Sequence, residues 1–173
     1  MTATWRHLAT RFLGSLRPGG PPPADEAWVA GALLPAELAL WRRMSGADRR
    51  HAVGVARRTE SALGAPLDRP VMAAALLHDV GKVDSGLGPL RRAFATVAGM
   101  VRGHEAASRW RHRRGPVGRA GRYLCHDAIG ADLLAAAGSD ALTVAWAREH
   151  HLAPDRWTVP EAVGAALRAA DDD

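Results

Sequence analysis

Cysteine and lysine are almost absent from this chain. Its 173 residues hold one of each, Cys125 and Lys82, and every other member of the 23 basic residues is arginine. A single cysteine excludes an internal disulfide framework and any cysteine-rich zinc site, and it points to a reducing compartment, the cytoplasm. Strand signals are sparse: β-branched runs are few, aromatic alternation is weak, and there is no Asn-Gly hairpin dipeptide. No stretch approaches the roughly 20 apolar residues that a membrane-spanning helix needs. There is no internal repeat, and the only low-complexity segment is a proline run.

What is present favours helix. Much of the apolar content is alanine, the best helix former. The expected fold is all-α, one helical bundle, because the length suits about one domain and can bury a real core. The formal charge of +5 and the sequence pI of about 10.8 permit an anionic partner without identifying one.

Trp5, Leu8, Phe12, Leu13 and Leu16 form an apolar stripe flanked by Arg6, Arg11 and Arg17. It lacks the continuous apolar region of a signal peptide and reads as a short helix that packs on the domain or frays, with a surface-seeking helix as the alternative. Residues 18–23, Pro18-Gly19-Gly20-Pro21-Pro22-Pro23, form a stiff linker. The expected division is an N-terminal extension over 1–37 and the main domain over 38–173.

Helices are expected from Pro35, from about Asp48 to Leu63, and after Asp68 as N-cap through the alanine run to His78-Asp79. Gly81 then fits the left-handed position that ends many helices. Leu90 to Trp110 reads as one helix or a broken pair, with Gly99 and Gly103 as kinks. Gly118 to Cys125, Ala128 to Ala136 and Asp140 to His151 follow, with His126-Asp127 as a cap. Thr158 is expected to cap the last helix, Pro160 to Ala170.

The chemistry gathers in Leu76-Leu77-His78-Asp79-Val80-Gly81-Lys82. An imidazole and a carboxylate end an apolar helix, where burial without a partner is costly. A divalent cation suits both groups. Adjacent helical residues point about 100° apart, so pairs such as His78-Asp79 and His150-His151 can grip one ion from two sides or two ions at once. Imidazole and carboxylate suit Mn, Fe, Co, Ni or Zn better than Mg or Ca.

His51, then His78-Asp79, then an aspartate near the end of the chain, resembles the HD superfamily of metal-dependent phosphohydrolases. Three further segments match in order: His126-Asp127-Ala128-Ile129-Gly130-Ala131-Asp132-Leu133-Leu134, Glu149-His150-His151, and Leu167-Arg168-Ala169-Ala170-Asp171. They resemble the HD-GYP-like branch, and the likeness covers about Leu38 to Asp171. It implies an HD-domain helical bundle with two divalent transition-metal ions. The implied ligands are His51, His78, Asp79 and Asp171 for one ion and His126, His150 and His151 for the other. Asp79 is expected to bridge them and to serve catalysis. Lys82 is expected to bind the phosphate of the substrate and offset its developing charge.

The chain departs from that branch. Leu152-Ala153-Pro154 stands where Gly-Tyr-Pro is expected, and the gap from His151 to Asp171 is short. Both argue against a cyclic-di-GMP enzyme. A third-metal ligand four residues before His51 is replaced by Ala47, with Asp48 one place off. The expected function is hydrolysis of a small nucleotide or phosphate ester. The alternatives are a diiron HD-type oxygenase and a non-catalytic, metal-binding regulatory domain.

His104 and His112 read as outside the metal set. Arg102, Arg109, Arg111, Arg113, Arg114, Arg119 and Arg122 face one acid, Glu105. That stretch reads first as a solvated basic face. A phosphate-binding wall or a nucleic-acid contact is the alternative. Oligomeric state is left open.

Overall fold

The computed structural model describes residues 19–64, 66–88, 95–96 and 104–172. The stripe from Trp5 to Leu16, and the glycines Gly99 and Gly103, lie outside the described residues. The described elements are α1 (Pro23–Ala32), α2 (Pro35–Arg43), α3 (Gly46–Leu63), α4 (Arg69–Leu77), α5 (His104–Trp110), α6 (Gly115–Leu124), α7 (His126–Ala136), α8 (Ala141–Glu149) and α9 (Glu161–Asp172). Two 3-10 turns, Val80–Asp84 and Pro154–Arg156, complete the set. The fold is all-α, with no strand among the described residues.

Proline opens four of these helices within the first turn, at α1, α2, α4 and α6. Its fixed φ suits that position, and its missing N–H has no intrahelical partner there anyway. Ser45 caps α3, its Oγ accepting the Asp48 N–H at 3.1 Å. The helix therefore starts at Gly46, two residues before the expected Asp48. Asp140 caps α8 through the Leu142 N–H at 2.9 Å.

Other boundaries differ from expectation. α6 starts at Gly115, and His126 lies inside the first turn of α7 rather than capping it. α8 ends at Glu149, so His150 and His151 sit just beyond its last turn. Thr158 caps nothing; its hydroxyl donates to Glu149 Oε1 at 2.7 Å, and α9 begins at Glu161. Asp68 holds the N-cap position of α4 without a side-chain bond.

The centre of the bundle is α4. Every residue from Val71 to Leu77 is buried. A helix apolar on all sides belongs in the middle of a fold. It packs against α1, α2, α3 and α8, while α9 lies along α3 and α7 along α8. Leu76 and Leu77 are fully excluded from solvent, each worth about 1.5–3 kcal/mol of burial. Val29 of α1 and Leu33 just after it join the same core. Residues 23–37, read from the sequence as part of an extension, thus contribute to the packing around α4.

Gly81 corrects the expectation of a left-handed helix end, since its φ is not positive. Its role is close approach. A Cβ there would overlap the His126 carbonyl oxygen and lie 2.6 Å from the Gly130 nitrogen. The 3-10 turn after α4 thus packs backbone to backbone on the first turn of α7. Only glycine permits that contact.

Candidate metal centre

His78 and Asp79 follow directly on the last residue of the central helix, so the fold carries a polar pair to the edge of its most apolar element. The carboxyl-terminal ends of α4, α8 and α9 converge there. Helix carboxyl ends carry partial negative charge and favour cations. His51 comes from the middle of α3, Asp171 from the last turn of α9, His126 from the start of α7, and His150 and His151 from the end of α8.

All seven side chains expected to ligate a metal meet in one cluster. His51 Nε2 lies 2.8 Å from Asp171 Oδ1, which lies 3.6 Å from His78 Nε2. His78 Nε2 is 3.5 Å from Asp79 Oδ2. The other oxygen, Asp79 Oδ1, is 3.1 Å from His126 Nε2 and 3.9 Å from His150 Nε2. His151 Nε2 is 3.2 Å from His126 Nε2. Two trios stand out, His51–His78–Asp79 and His126–His150–His151. Within each, the ligating atoms lie within 4.8 Å of one another. Asp79 turns one oxygen toward each trio. His112 belongs to neither group, and the His104 side chain lies outside what the structure describes.

The imidazoles are aimed by one repeated device. His78 Nδ1 lies 3.0 Å from the Ala75 carbonyl, His126 Nδ1 2.8 Å from the Tyr123 carbonyl, and His150 Nδ1 3.0 Å from the Ala147 carbonyl. In each case the acceptor is three residues earlier. A carbonyl can only accept, so each Nδ1 carries the proton. That fixes the ring and turns Nε2 inward, the arrangement seen around metal-ligating histidines. His78 Nε2 and His150 Nε2 are buried and have no hydrogen-bond partner. Buried polar atoms left in this state are costly; a cation would answer the neutral His150 Nε2 directly, and the His78 Nε2 by displacing the proton that Asp79 and Asp171 favour there. These buried His/Asp groups can hold a metal ion.

Electrostatics prepare the site. Burial pulls the His150 imidazole well below its usual range, and the neighbouring His151 and His78 add to the shift. Burial likewise lowers His51, despite its bond to Asp171, and lowers His151 to about 4. These three rings are neutral at pH 7 and offer lone pairs. Burial opposes charge on His78, but Asp79 and Asp171 outweigh it and raise the imidazole to about 10. Burial favours the acid form of Asp79, yet the Lys82 ammonium and His78 hold it well below the usual carboxylate range. Asp171 is lowered the same way by His51 and His78, against its burial. Lys82 bonds directly to Asp79 Oδ2, and that carboxylate outweighs burial and keeps the ammonium charged.

Several supporting roles escaped the sequence reading. Tyr123, the only tyrosine, stacks on His126 with ring centroids 5.9 Å apart and supplies the carbonyl that fixes it. Glu149 is buried and accepts from the Thr158 N–H at 2.6 Å and from its hydroxyl, tying down the loop after His151. Arg168 of α9 donates to the His150 carbonyl at 2.5 Å. Only the uniqueness of Tyr123 was visible as a signal; the carbonyl contacts involve backbone and leave no trace in side-chain type.

No family model, curated protein or solved structure matches this chain. No helix among the described residues is long and apolar enough to cross a membrane.

Proposed function

We propose that the protein is a metal-dependent phosphohydrolase acting on a small nucleotide or phosphate ester. Two divalent transition-metal ions would be held by the two trios, with Asp171 added to the first and Asp79 within reach of both. The observation that carries this reading is the set of three buried imidazoles, each fixed through Nδ1 by a carbonyl three residues earlier, with Nε2 converging on one carboxylate. Imidazole nitrogen together with carboxylate favours Mn, Fe, Co, Ni or Zn over the cations that prefer all-oxygen shells. Such ions supply Lewis-acid polarisation of a phosphoryl group and acidify water.

The chain's own residues supply the rest. Asp79 holds charge at the centre of the cluster and fixes Lys82 beside it. Lys82 is the cation positioned to meet a phosphate oxygen and to offset negative charge as the P–O bond breaks. A compact ammonium on a flexible stem suits that task, and a planar guanidinium would fill the space differently. The apolar wall of Leu76, Leu77 and Val80 behind the pair keeps the local dielectric low and strengthens each of these interactions.

The test is metal analysis of protein purified without added metal, followed by a phosphoester panel with Mn and Fe. The expected result is about two ions per chain and phosphate release. Lys82→Ala should keep the metal and lose at least tenfold in turnover, the scale of a lost electrostatic contact in the transition state. Oxygen consumption with an organic substrate and no hydrolysis would refute the proposal. So would metal that stabilises the fold without any turnover.

A further inference from the structure

Six arginines crowd α5, α6 and the turn between them: Arg109, Arg111, Arg113, Arg114, Arg119 and Arg122. No aspartate or glutamate occurs between residues 109 and 124. Elsewhere several arginines meet a carboxylate. Arg43 meets Asp84 at 3.1 Å, Arg49 meets Glu26 at 2.9 Å, Arg57 meets Asp25 at 3.1 Å, and Arg148 meets Asp132 at 3.1 Å. None of the six has such a partner among the described residues. Arg111 donates to His112 at 3.0 Å, and Arg122 donates to the carbonyls of Asp84 at 3.0 Å and Arg111 at 3.4 Å. These bonds orient the Arg111 and Arg122 guanidinium groups through acceptors that carry no negative charge. Arg109, Arg113, Arg114 and Arg119 are exposed.

The backbone beneath them is tightly packed. A Cβ on Gly118 would overlap the Arg113 carbonyl, and one on Gly121 would lie 2.5 Å from the Trp110 carbonyl carbon. The turn that bears Arg111, Arg113 and Arg114 is thus pressed onto α6. The result is a ledge with a definite place. It ends at Arg122, anchored on Asp84, two residues beyond Lys82.

Shape and charge together select the ligand. Ten residues of α6 span about 15 Å, and the arginines continue onto α5. A charge distribution that long suits a repeating anion better than a compact one. Half-buried Trp110 and exposed His112 lie among the arginines and offer π faces on which bases stack. We propose that α5, α6 and their turn form a binding ledge for a single-stranded oligonucleotide, with its phosphates on the six arginines. Delivery of a strand end to the His–Asp cluster rests on the function proposed above; the ledge itself does not.

The test uses the full chain and a fluorescein-labelled single strand of about 10 nucleotides, read by anisotropy across a salt series. Binding should weaken with salt by a log–log slope of about −0.7 for each phosphate neutralised. The triple variant Arg113→Gln, Arg114→Gln, Arg119→Gln should bind at least about tenfold more weakly, with the slope smaller by about 2. Its unfolding midpoint and metal content should match the parent and so show an intact fold. Arg119→Glu alone is a gentler second variant and should weaken binding several-fold. Three outcomes would overturn the ledge: no binding at low salt, equal binding by both variants and the parent, or equal affinity for blunt duplex. Metal content read on the same sample separates the two readings. A metal-free protein that holds the strand removes the metal centre alone, and a metal-loaded protein that ignores it removes the ledge alone.

Discussion

Gly81→Ala adds one methyl group where two backbones touch. The new Cβ would overlap the His126 carbonyl oxygen, with the Gly130 nitrogen at 2.6 Å and the His126 carbonyl carbon at 2.8 Å. All three atoms belong to the first turn of α7, where the Gly130 N–H and the His126 carbonyl are helical hydrogen-bond partners. None is the tip of a flexible side chain that could swing aside. Ordinary contact begins near 3.4 Å, so the 3-10 turn and α7 must separate by at least about 0.8 Å at the Gly130 nitrogen alone. Overpacking of this kind costs about 1–3 kcal/mol, and rigid neighbours place this site in the upper half of that range.

For a chain of this size each kcal/mol lowers the unfolding midpoint by about 2–4 °C, so a loss of about 4–12 °C is expected. The separation also pulls Asp79, two residues earlier, away from His126, now 3.1 Å from its Oδ1. Ligand sets tolerate only about 0.5 Å of such error. Metal content should therefore fall together with stability. Gly86→Ala is the control. That residue has φ +57° with open space around it, so alanine there meets only backbone strain of about 1–2 kcal/mol and should leave metal content unchanged. The measurement is denaturant unfolding with elemental analysis of each variant. A Gly81→Ala protein within about 0.5 kcal/mol of the parent, with full metal, would refute the close-approach argument.

Two further outcomes follow from other parts of the site. Glu149→Ala removes a buried acceptor from both the N–H and the hydroxyl of Thr158; bonds to a charged group are worth about 1.5–3 kcal/mol each. A loss of about 3 kcal/mol in urea unfolding is expected, with faster amide exchange around residues 150–158, and unchanged exchange there would contradict the role given to Glu149. Metal-free protein should be most stable near pH 6.5. The raised His78 adds stability that is complete below about 6.5 and lost as pH rises toward 10, while the lowered His51, His150 and His151 bind protons more readily unfolded and cost stability as pH falls below 6.5. His151 is exposed, so water screens its share; unfolding midpoints that climb steadily from pH 6.5 to 10 would contradict this balance.

The all-α architecture and the seven-residue cluster were legible because strong chemistry marks them. A histidine and an aspartate ending a fully apolar helix admit few uses, and imidazole pairs at helix ends recur too seldom to be background. Gly81 shows where such reading stops. Glycine after a helix usually reports a left-handed turn, and here it reports another helix's backbone in contact. Which of the two applies depends on α7, about 45 residues further along, and nothing local encodes it. The carbonyls of Ala75, Tyr123 and Ala147 are invisible for a related reason. Every residue has a carbonyl, so the device that aims each imidazole is set by where a helix ends and not by which side chain is three positions back.

That separation between ligand and support has a consequence for how the site tolerates change. The residues that aim His78 and His150 act through backbone atoms of alanine, so side-chain substitution there leaves the acceptor in place. What moves the acceptor is a shift of the helix end itself. Arg168, which binds the His150 carbonyl at 2.5 Å, and Glu149, which holds the loop at Thr158, are side chains bonded at the end of α8 and just beyond it. Neither points a ligand at the cluster, yet loss of either frees the segment that carries both His150 and His151. The geometry of the cluster is therefore most vulnerable at residues that would contribute nothing to a ligand count.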